Sequence, residues 1–116
     1  MKLIVAIIRP ERLEAVQKAL NEHDVYLMTV SDVRGCGRQR GYTEVYRGTE
    51  VRIQLISKLK LEIAVNEAFV EATIEAIVHA ARSDTGSIGD GKIFVLPMDD
   101  CVRIRTGERG SEAIGP

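Results

Sequence analysis

Hydrophobic positions predict a strand, a helix and a second strand in the first third of the chain. Residues Leu3–Ile8 are continuously apolar, which is typical of a strand buried on both faces. Leu13, Val16 and Leu20 then recur at helical spacing. The segment Val25–Arg34 is rich in β-branched residues and predicts the second strand.

A longer alternating pattern predicts the third strand. From Val51 to Val65, apolar residues occupy nearly every odd position, and most even positions are charged or polar. A strand of that length would span roughly 50 Å at about 3.3 Å per residue. A globule of this size has a radius of gyration of only about 13 Å. One end of the strand must therefore project from the body, or the run must break.

The remaining elements are a second helix and one or two further strands. Asn66 is a suitable N-cap for a helix whose apolar face continues to Ala81. The run Ile93–Leu96 predicts a fourth strand, and Val102–Thr106 predicts a short fifth. Residues 107–116 are small or charged and poor in apolar side chains, so we expect a mobile tail.

The order of these elements predicts a single α+β domain over residues 1–116. Strand, helix and strand, repeated once, is the order of a ferredoxin-like βαββαβ sandwich, here with a short C-terminal strand added. Two helices can cover only one face of a four-stranded sheet, yet Leu3–Ile8 is apolar on both faces. We therefore expect further copies of the chain to cover the second face.

Composition narrows the classes of function. The 16 basic and 17 acidic residues give no electrostatic case for binding nucleic acid or an acidic membrane. Cys36 and Cys101 fit no metal or redox spacing, and His23 and His79 lack neighbours at ligand spacing. Neither a signal peptide nor an apolar run of about 20 residues is recognisable. A soluble cytoplasmic domain is the expectation.

A glycine-rich segment, residues 83–92, follows the second helix. Gly86, Gly91 and Lys92 have the G-x-x-x-x-G-K spacing of the common phosphate loop. The next residue is Ile93 instead of Ser or Thr, and an apolar run stands where that fold has a helix, which excludes that fold. Backbone N–H groups freed by glycine, together with Lys92, can still hold a phosphate. The alternative is a flexible turn into a strand.

A long polar loop, residues 35–50, separates the second and third strands. Hairpin loops need only two to five residues, and longer unstructured connections are usually functional or disordered. Arg38, Arg40 and Arg47 are donors suited to phosphates or carboxylates. Tyr42 and Tyr46 are amphipathic contact residues. A binding role is favoured over a merely tolerated insertion.

Four short motifs in these segments carry a family resemblance. They are Gly35-x-Gly37-Arg38-Gln39, Tyr46-Arg47-Gly48, Thr85-x-x-x-Gly89-Asp90-Gly91-Lys92-Ile93-Phe94-Val95 and Arg103-Ile104-Arg105-Thr106-Gly107. With them the chain resembles the PII nitrogen-regulatory signal proteins, without an obvious gap to about residue 82 and again from residue 85 to about residue 107.

The resemblance implies a homotrimer with nucleotide sites in the clefts between subunits. Each site would bind ATP or ADP, and the ATP-bound site would also take Mg²⁺ and 2-oxoglutarate. Residues 35–55 would form the T-loop, whose ligand-dependent shape would regulate an ammonium transporter or an enzyme or regulator of nitrogen metabolism. The resemblance further implies a non-enzymatic regulator with at most trace ATP hydrolysis, which does not bind nucleic acid and meets a membrane only through a transporter.

The resemblance also assigns residues to these sites. The nucleotide-binding positions are Thr29, Gly35, Cys36, Gly37, Arg38, Gln39, Glu62, Ala64, Ile88, Gly89, Asp90, Gly91, Lys92, Arg103 and Arg105. The 2-oxoglutarate positions are Gln39, Arg40, Gly41 and Lys58, and Gln39 is also the Mg²⁺ ligand. The partner-binding positions of the T-loop are Tyr42, Glu44, Tyr46, Arg47 and Thr49. Arg103 and Arg105 are two residues apart, so on a strand they would point the same way and grip one polyphosphate.

Four positions depart from the family pattern. Val51 replaces the tyrosine that many bacterial relatives modify covalently, so we expect control by ligands alone. Arg40 replaces a lysine and changes the geometry of the donors. Cys36 replaces a frequent aromatic residue, which removes a stacking surface. Ser83-Asp84 is interpreted as a two-residue insertion that changes how the glycine-rich segment approaches the site.

Two other classes of protein are alternatives. A small ATPase or phosphotransferase would need an acidic or histidine base clearly placed beside the glycine-rich segment, where Asp90 is the acid that lies between two of its glycines. An RNA-binding module on the same fold would need stacking aromatic residues on its strands. The 3 tyrosines and 2 phenylalanines of this chain are instead scattered along it.

Overall fold

A computed structural model describes residues 1–36 and 55–115, which form four strands and three helices. The strands are β1 (Lys2–Ile8), β2 (Thr29–Gly35), β3 (Ile56–Val65) and β4 (Gly91–Pro97). The helices are α1 (Leu13–Glu22), α2 (Val70–Ala81) and the short α3 (Ser111–Ile114). A 3-10 turn precedes each of the two long helices, at Pro10–Arg12 and at Glu67–Phe69.

The described strands form one antiparallel sheet in the order β2-β3-β1-β4. Each long helix links a central strand to an edge strand, and this connectivity is that of the predicted ferredoxin-like α+β sandwich. The fold class is therefore confirmed. Pro10 begins the 3-10 turn, where its fixed φ and missing N–H are tolerated.

The core lies between the sheet and the two long helices. Alternate residues of the central strands, such as Ile4 and Ile63, are fully buried against α1 and α2. Leu20 and Ile77 close the core from the helix side. Burying a side chain of this size contributes about 1.5–3 kcal/mol. These contacts fix the sheet on which the other elements stand.

The two long helices pack on the first face of the sheet, where the core residues lie, and leave the second face to other contacts. Val5 of β1 pairs with Phe94 of β4, and Leu3 pairs with Leu96, so these apolar side chains share that face. Phe94 is 50% exposed and Leu96 is 42% exposed. An apolar stripe of this kind is expected at an interface with another protein chain.

The second strand is shorter than the sequence predicted. It begins at Thr29 instead of Val25, because the chain reverses through Asp24 at a φ of 62° and then runs to the edge of the sheet without regular structure. Within that connection Val25 is buried, whereas Leu27 is 76% exposed. The β-branched Val25 thus anchors a loop to the core and does not pair in the sheet.

The third strand also covers less than the alternating pattern. It runs from Ile56 to Val65, and Leu55 lies outside it and is 59% exposed. The other residues of the pattern, 51–54, are outside the described part of the chain. Of the described residues in this pattern, only Ile56–Val65 form the strand.

The predicted fifth strand is wrong. The segment Val102–Thr106 forms a tight turn, in which Gly107 N donates to Arg103 O (2.7 Å) and a single bridge joins Val102 to Arg109. The Asp100 carboxylate closes this turn by accepting from Arg109 Nη2 (2.6 Å) and from the Gly110 N–H (3.1 Å). The Arg109 guanidinium, followed by the Cys101 N–H, lowers the pKa of Asp100.

Part of the predicted tail is a short helix. The α3 helix follows Gly110, and the side chain of Asn66 donates to Ser111 O (3.2 Å) and Gly115 O (2.9 Å). These bonds tie the end of the chain to the residue that precedes the second helical segment. Among the described residues, no helix has the length and apolar character needed to cross a bilayer.

Candidate functional site

The glycine-rich segment connects α2 to β4 and depends on left-handed backbone conformations. Gly86, Gly89 and Gly91 have φ values of 99°, 98° and 116°. Residues with a Cβ rarely adopt these values, so glycine is needed here for the path of the chain. Gly91 also lies directly beside the backbone of β1, where a Cβ would overlap the Ile7 carbonyl oxygen. The segment is therefore a shaped loop and not an arbitrary turn.

Asp90 organises the loop from within. One carboxylate oxygen accepts from the backbone N–H groups of Ser83 (3.0 Å) and Ser87 (2.9 Å). The other accepts from Ser83 Oγ (2.8 Å) and Arg9 Nε (3.2 Å). These donors, the Ser87 N–H foremost, hold the pKa of Asp90 well below its usual range. The carboxylate predicted to belong to the nucleotide site is thus engaged by the loop itself.

Two cationic side chains hold the carbonyl groups at the tip of the loop. Arg9 Nη2 donates to Ile88 O (3.0 Å), and Lys58 Nζ donates to Gly89 O (2.6 Å). Because C=O and N–H point in opposite directions across a trans peptide, the Gly89 N–H faces away from Arg9. The arrangement turns carbonyl oxygens toward the cations and leaves that N–H on the other side, as an anion-binding loop requires.

Lys58 is buried although it lies on the polar side of β3. Its residue exposure is only 8%, because the glycine-rich loop lies over it. Desolvation is the main cause that lowers the pKa of Lys58, and the charge of Arg9 adds to it, while Glu11 and Asp90 act in the opposite direction. A buried ammonium group that bonds a neutral carbonyl is an uncommon arrangement. It identifies Lys58 as a functional candidate.

The sheet register places other predicted residues on the second face of the sheet, which we call the open face because the two long helices pack on the first. Thr29 of β2 pairs with Glu62 of β3, which in turn pairs with Val5 of β1. Lys92 of β4 pairs with Ile7, and it is exposed. Ala64 pairs with Leu3 on that face. The structure therefore places four predicted positions on one surface: Thr29, Glu62, Ala64 and Lys92.

Gly35 ends β2 and Cys36 follows it as an exposed residue. The other predicted positions of the long loop lie outside the described residues: Gly37, Arg38, Gln39, Arg40, Gly41, Tyr42, Glu44, Tyr46, Arg47 and Thr49. Their roles remain predictions.

The expected geometry of Arg103 and Arg105 is corrected. They lie in a turn and not on a strand, so their spacing does not make them point the same way. Arg103 Nη1 forms an ion pair with Glu108 Oε1 (2.9 Å), and Nη2 donates to Glu112 O (3.1 Å) and Ala113 O (3.3 Å). In this conformation the guanidinium of Arg103 is held by the C-terminal segment of its own chain.

Sequence reasoning missed Arg9 and Ser83 as residues that hold the loop. No sequence motif assigns a role to Arg9, and Ser83 is predicted only as part of an insertion. Their contacts join residues 81 and 7 positions apart, Arg9 to Asp90 and Ser83 to Asp90. The first exists only because Ile8 and Gly91 pair between β1 and β4. One sequence signal does point to this contact: Arg9 directly follows a strand, and the strand that pairs with that one begins at the end of the glycine-rich segment.

Metal binding was predicted only through Gln39, outside the described residues. Within residues 1–36 and 55–115, no cluster of three His, Cys, Asp or Glu side chains is placed to hold a metal ion. The exposed cation of Lys92 and the N–H groups of the glycine-rich segment are donors that suit an anion.

Comparison with known proteins adds the family. The model of the family described as "Nitrogen regulatory protein P-II" matches residues 1–108. Nitrogen regulatory protein GlnK1 of Methanosarcina mazei is 53% identical over 114 residues, which cover 98% of this chain and 97% of that protein. Nitrogen regulatory protein P-II of Synechocystis sp. is 54% identical over 114 residues, which cover 98% of this chain and 100% of that protein. With this agreement over nearly the whole length, the chain belongs to the nitrogen regulatory protein P-II family.

Proposed function

We propose that this nitrogen regulator binds ATP or ADP in clefts between three copies of the chain and, with Mg-ATP, also binds 2-oxoglutarate. The bound ligands set the conformation of the T-loop, residues 35–55, which contacts a target of nitrogen assimilation in the cytoplasm. The single observation that carries this proposal is the glycine-rich loop, whose Ile88 and Gly89 carbonyls are held by Arg9 and Lys58.

The loop and its surroundings support a polyphosphate site. Positive φ values at its glycines expose the backbone, and Lys92 adds an exposed cation where the loop enters β4. Thr29 and Glu62, paired on the open face, supply polar groups for the adenine end. Arg38, Gln39 and Arg103 would complete the phosphate contacts by family resemblance, with Mg²⁺ shared among Gln39, the phosphates and the oxoacid.

The exposed face of the sheet supports a trimer. Phe94 and Leu96 are half exposed and lie beside Leu3 and Val5. Burying this stripe against neighbouring copies would stabilise the assembly by about 25 cal/mol for each Å² of apolar surface removed from water. The polar positions Glu62 and Lys92 lie on the same face, so the nucleotide site would form where that interface meets the loop.

The buried Lys58 supports a carboxylate ligand. Its bond to the neutral Gly89 carbonyl leaves the ammonium charge with only indirect compensation. A carboxylate of 2-oxoglutarate would be a stronger partner, because it would add attraction between opposite charges to the hydrogen bond that the neutral carbonyl now accepts. Arg40 and the backbone of Gly41 are the further oxoacid contacts that the resemblance suggests.

The environment of Asp90 favours a regulator over an ATPase. A general base must be able to accept a proton near neutral pH. The pKa of Asp90 is held far below that range by the hydrogen bonds of the loop and by Arg9. Among the described residues, Asp90 is the acid closest along the chain to the glycines, and it is unsuited to activating a water molecule.

The proposal is tested by calorimetric titration of the full chain. ATP and ADP are titrated separately, and 2-oxoglutarate is then titrated with ATP and Mg²⁺, with ADP and Mg²⁺, and with Mg²⁺ alone. We expect both nucleotides to bind and the oxoacid to bind only in the presence of Mg-ATP. Lack of affinity for adenine nucleotides, or a monomeric state in sedimentation experiments, would contradict the proposal.

A second measurement tests whether Glu108 competes with the phosphates of ATP for the guanidinium of Arg103. If Arg103 must exchange Glu108 for phosphate, Glu108→Gln should raise the affinity for ATP by about two- to fivefold. This is the range expected for losing a partly exposed ion pair of at most about 1 kcal/mol. The comparison is made by calorimetry on the same nucleotide stock.

Glu112→Gln is the matched control for this experiment. Arg103 contacts only the backbone oxygen of Glu112, so the same loss of charge leaves its bond intact. ATP affinity should then stay within experimental error. A loss of affinity in Glu108→Gln would show that Glu108 supports the binding conformation of Arg103 and does not compete with phosphate.

A further inference from the structure

Four residues form a hydrogen-bonded clasp at the base of the glycine-rich loop. The Asp90 clasp consists of Asp90 as the acceptor and of Arg9, Ser83 and Ser87 as the donors. Ser83 is the second residue after α2, and Asp90 directly precedes β4. The clasp therefore joins the two ends of the loop to each other and to the end of β1.

We propose that Asp90 is a positioning residue, which acts through the clasp to hold the loop in its phosphate-binding shape and touches neither the phosphates nor Mg²⁺. This inference rests on the proposed nucleotide site. It assigns Ser83 and Arg9, which sequence reasoning left without a role, to the same task.

The first argument is that the carboxylate is saturated. An ionised carboxylate has about four acceptor sites on its two oxygens. Each oxygen of Asp90 already accepts two hydrogen bonds, from donors at 2.8 Å to 3.2 Å. Its side chain is only 18% exposed. A phosphate or a cation would have to displace these donors to reach it.

The second argument is that the loop needs to be held. Glycine residues lose more conformational freedom on folding than other residues, and this loop contains three of them, Gly86, Gly89 and Gly91, with positive φ. Asp84 also has a positive φ of 34°, which is unfavourable for a residue with a Cβ. Without cross-links, such a segment would populate many shapes, and few of them would present its N–H groups together.

The third argument is that one guanidinium serves both the clasp and the loop tip. Arg9 Nε contacts Asp90, while its Nη2 contacts Ile88 O. The clasp therefore fixes the peptide between Ile88 and Gly89, whose N–H points away from Arg9. The arginine also offsets the negative charge of Asp90, which would otherwise repel a polyphosphate.

The test is a double-mutant cycle on the full chain, with ATP affinity measured by calorimetry in the presence and absence of Mg²⁺. Asp90→Asn and Ser83→Ala are each expected to weaken ATP binding by roughly tenfold, because each removes at least one hydrogen bond of a charged acceptor. The double variant should lose no more than the weaker-binding single variant, since both substitutions open the same clasp. Each loss should be the same with and without Mg²⁺.

Two control variants separate positioning from charge and from general damage. Asp84→Asn removes the same charge from the same loop but does not belong to the clasp, so ATP affinity should change by less than about twofold. Ser83→Thr keeps the hydroxyl group and the N–H, so it should retain the affinity of the unaltered chain. If Asp90→Asn does not fold, the comparison of Ser83→Ala with Ser83→Thr still shows whether the clasp contributes to ATP affinity.

Each other outcome overturns the inference. A loss in Asp90→Asn that appears only with Mg²⁺ would make Asp90 a metal ligand. Full additivity of the two losses, or unchanged affinity in Ser83→Ala, would show that the clasp does not shape the site. If the unaltered chain fails to bind ATP, the proposed function itself fails. Amide exchange then tests the clasp alone: Ser83→Ala should speed exchange of the Ser87 N–H, and an unchanged rate would refute the clasp.

Discussion

Replacing Gly91 with alanine is expected to lower the free energy of unfolding by more than about 3 kcal/mol, the sum of backbone strain and steric overlap. Its φ of 116° lies in a region that L-residues rarely adopt. A Cβ would overlap the Ile7 carbonyl oxygen and lie 2.9 Å from the Ile7 carbonyl carbon. Ile7 belongs to β1, which is paired on both sides, so its backbone cannot retreat without breaking the sheet.

Urea denaturation followed by circular dichroism measures this loss, and Gly107→Ala is the matched control. Gly107 also has a positive φ, 75°, but a Cβ there would meet no atom within 4 Å. Only the backbone cost of about 1–2 kcal/mol should then be seen. Equal destabilisation in the two variants would show that contact with β1 is not what requires glycine at position 91.

Lys58→Met is expected to weaken the binding of 2-oxoglutarate roughly a hundredfold, because it removes the charged partner of the buried carboxylate of the oxoacid. The free energy of unfolding should change by less than about 1 kcal/mol, because the lost bond to Gly89 O and the removed cost of desolvating the ammonium group offset each other. Lys58 is buried, and methionine fills a similar volume without the cost of desolvating an ammonium group. Oxoacid affinity is measured by calorimetry at saturating Mg-ATP, and stability by urea denaturation of the same preparation.

Lys60→Met provides the comparison for Lys58→Met. Lys60 lies on the same face two residues further along β3, but its side chain is 39% exposed and its nearest carboxylate oxygen, on Glu62, is 4.0 Å away. Removing this charge should change oxoacid affinity by less than about threefold. A similar loss in both variants would mean that the oxoacid responds to overall charge and not to a specific bond with Lys58.

Most elements of the fold could be predicted because their signals are local. The continuous apolar run of β1 and the helical spacing of α1 and α2 depend on near neighbours in the sequence. The start of β2 and the fifth strand could not be predicted in the same way. Val25 is β-branched but packs as a loop anchor, and the alternation at 102–106 is overridden by a turn that Asp100 and Arg109 close.

The candidate site shows the same division. The glycine loop was predicted because glycine spacing is visible in the sequence, and its positive φ values follow from it. The bonds from Arg9 to Asp90 and from Lys58 to Gly89 depend on strand pairing and on how the loop lies over β3. From the sequence pattern alone, Lys58 would be a solvated lysine on the polar face of a strand. Its burial is visible only in the tertiary structure.

The bond network of Arg103 makes the end of the chain sensitive to what that arginine holds. Its Nη2 group donates to the backbone oxygens of Glu112 and Ala113, and Gly115 is fastened in turn to Asn66. Any event that draws the guanidinium elsewhere releases α3 from one of its two anchors. A fluorescent label on the terminal residues would then report whether the proposed nucleotide site is occupied. A bulky affinity tag at that end would instead shift the balance between the two sets of partners of Arg103.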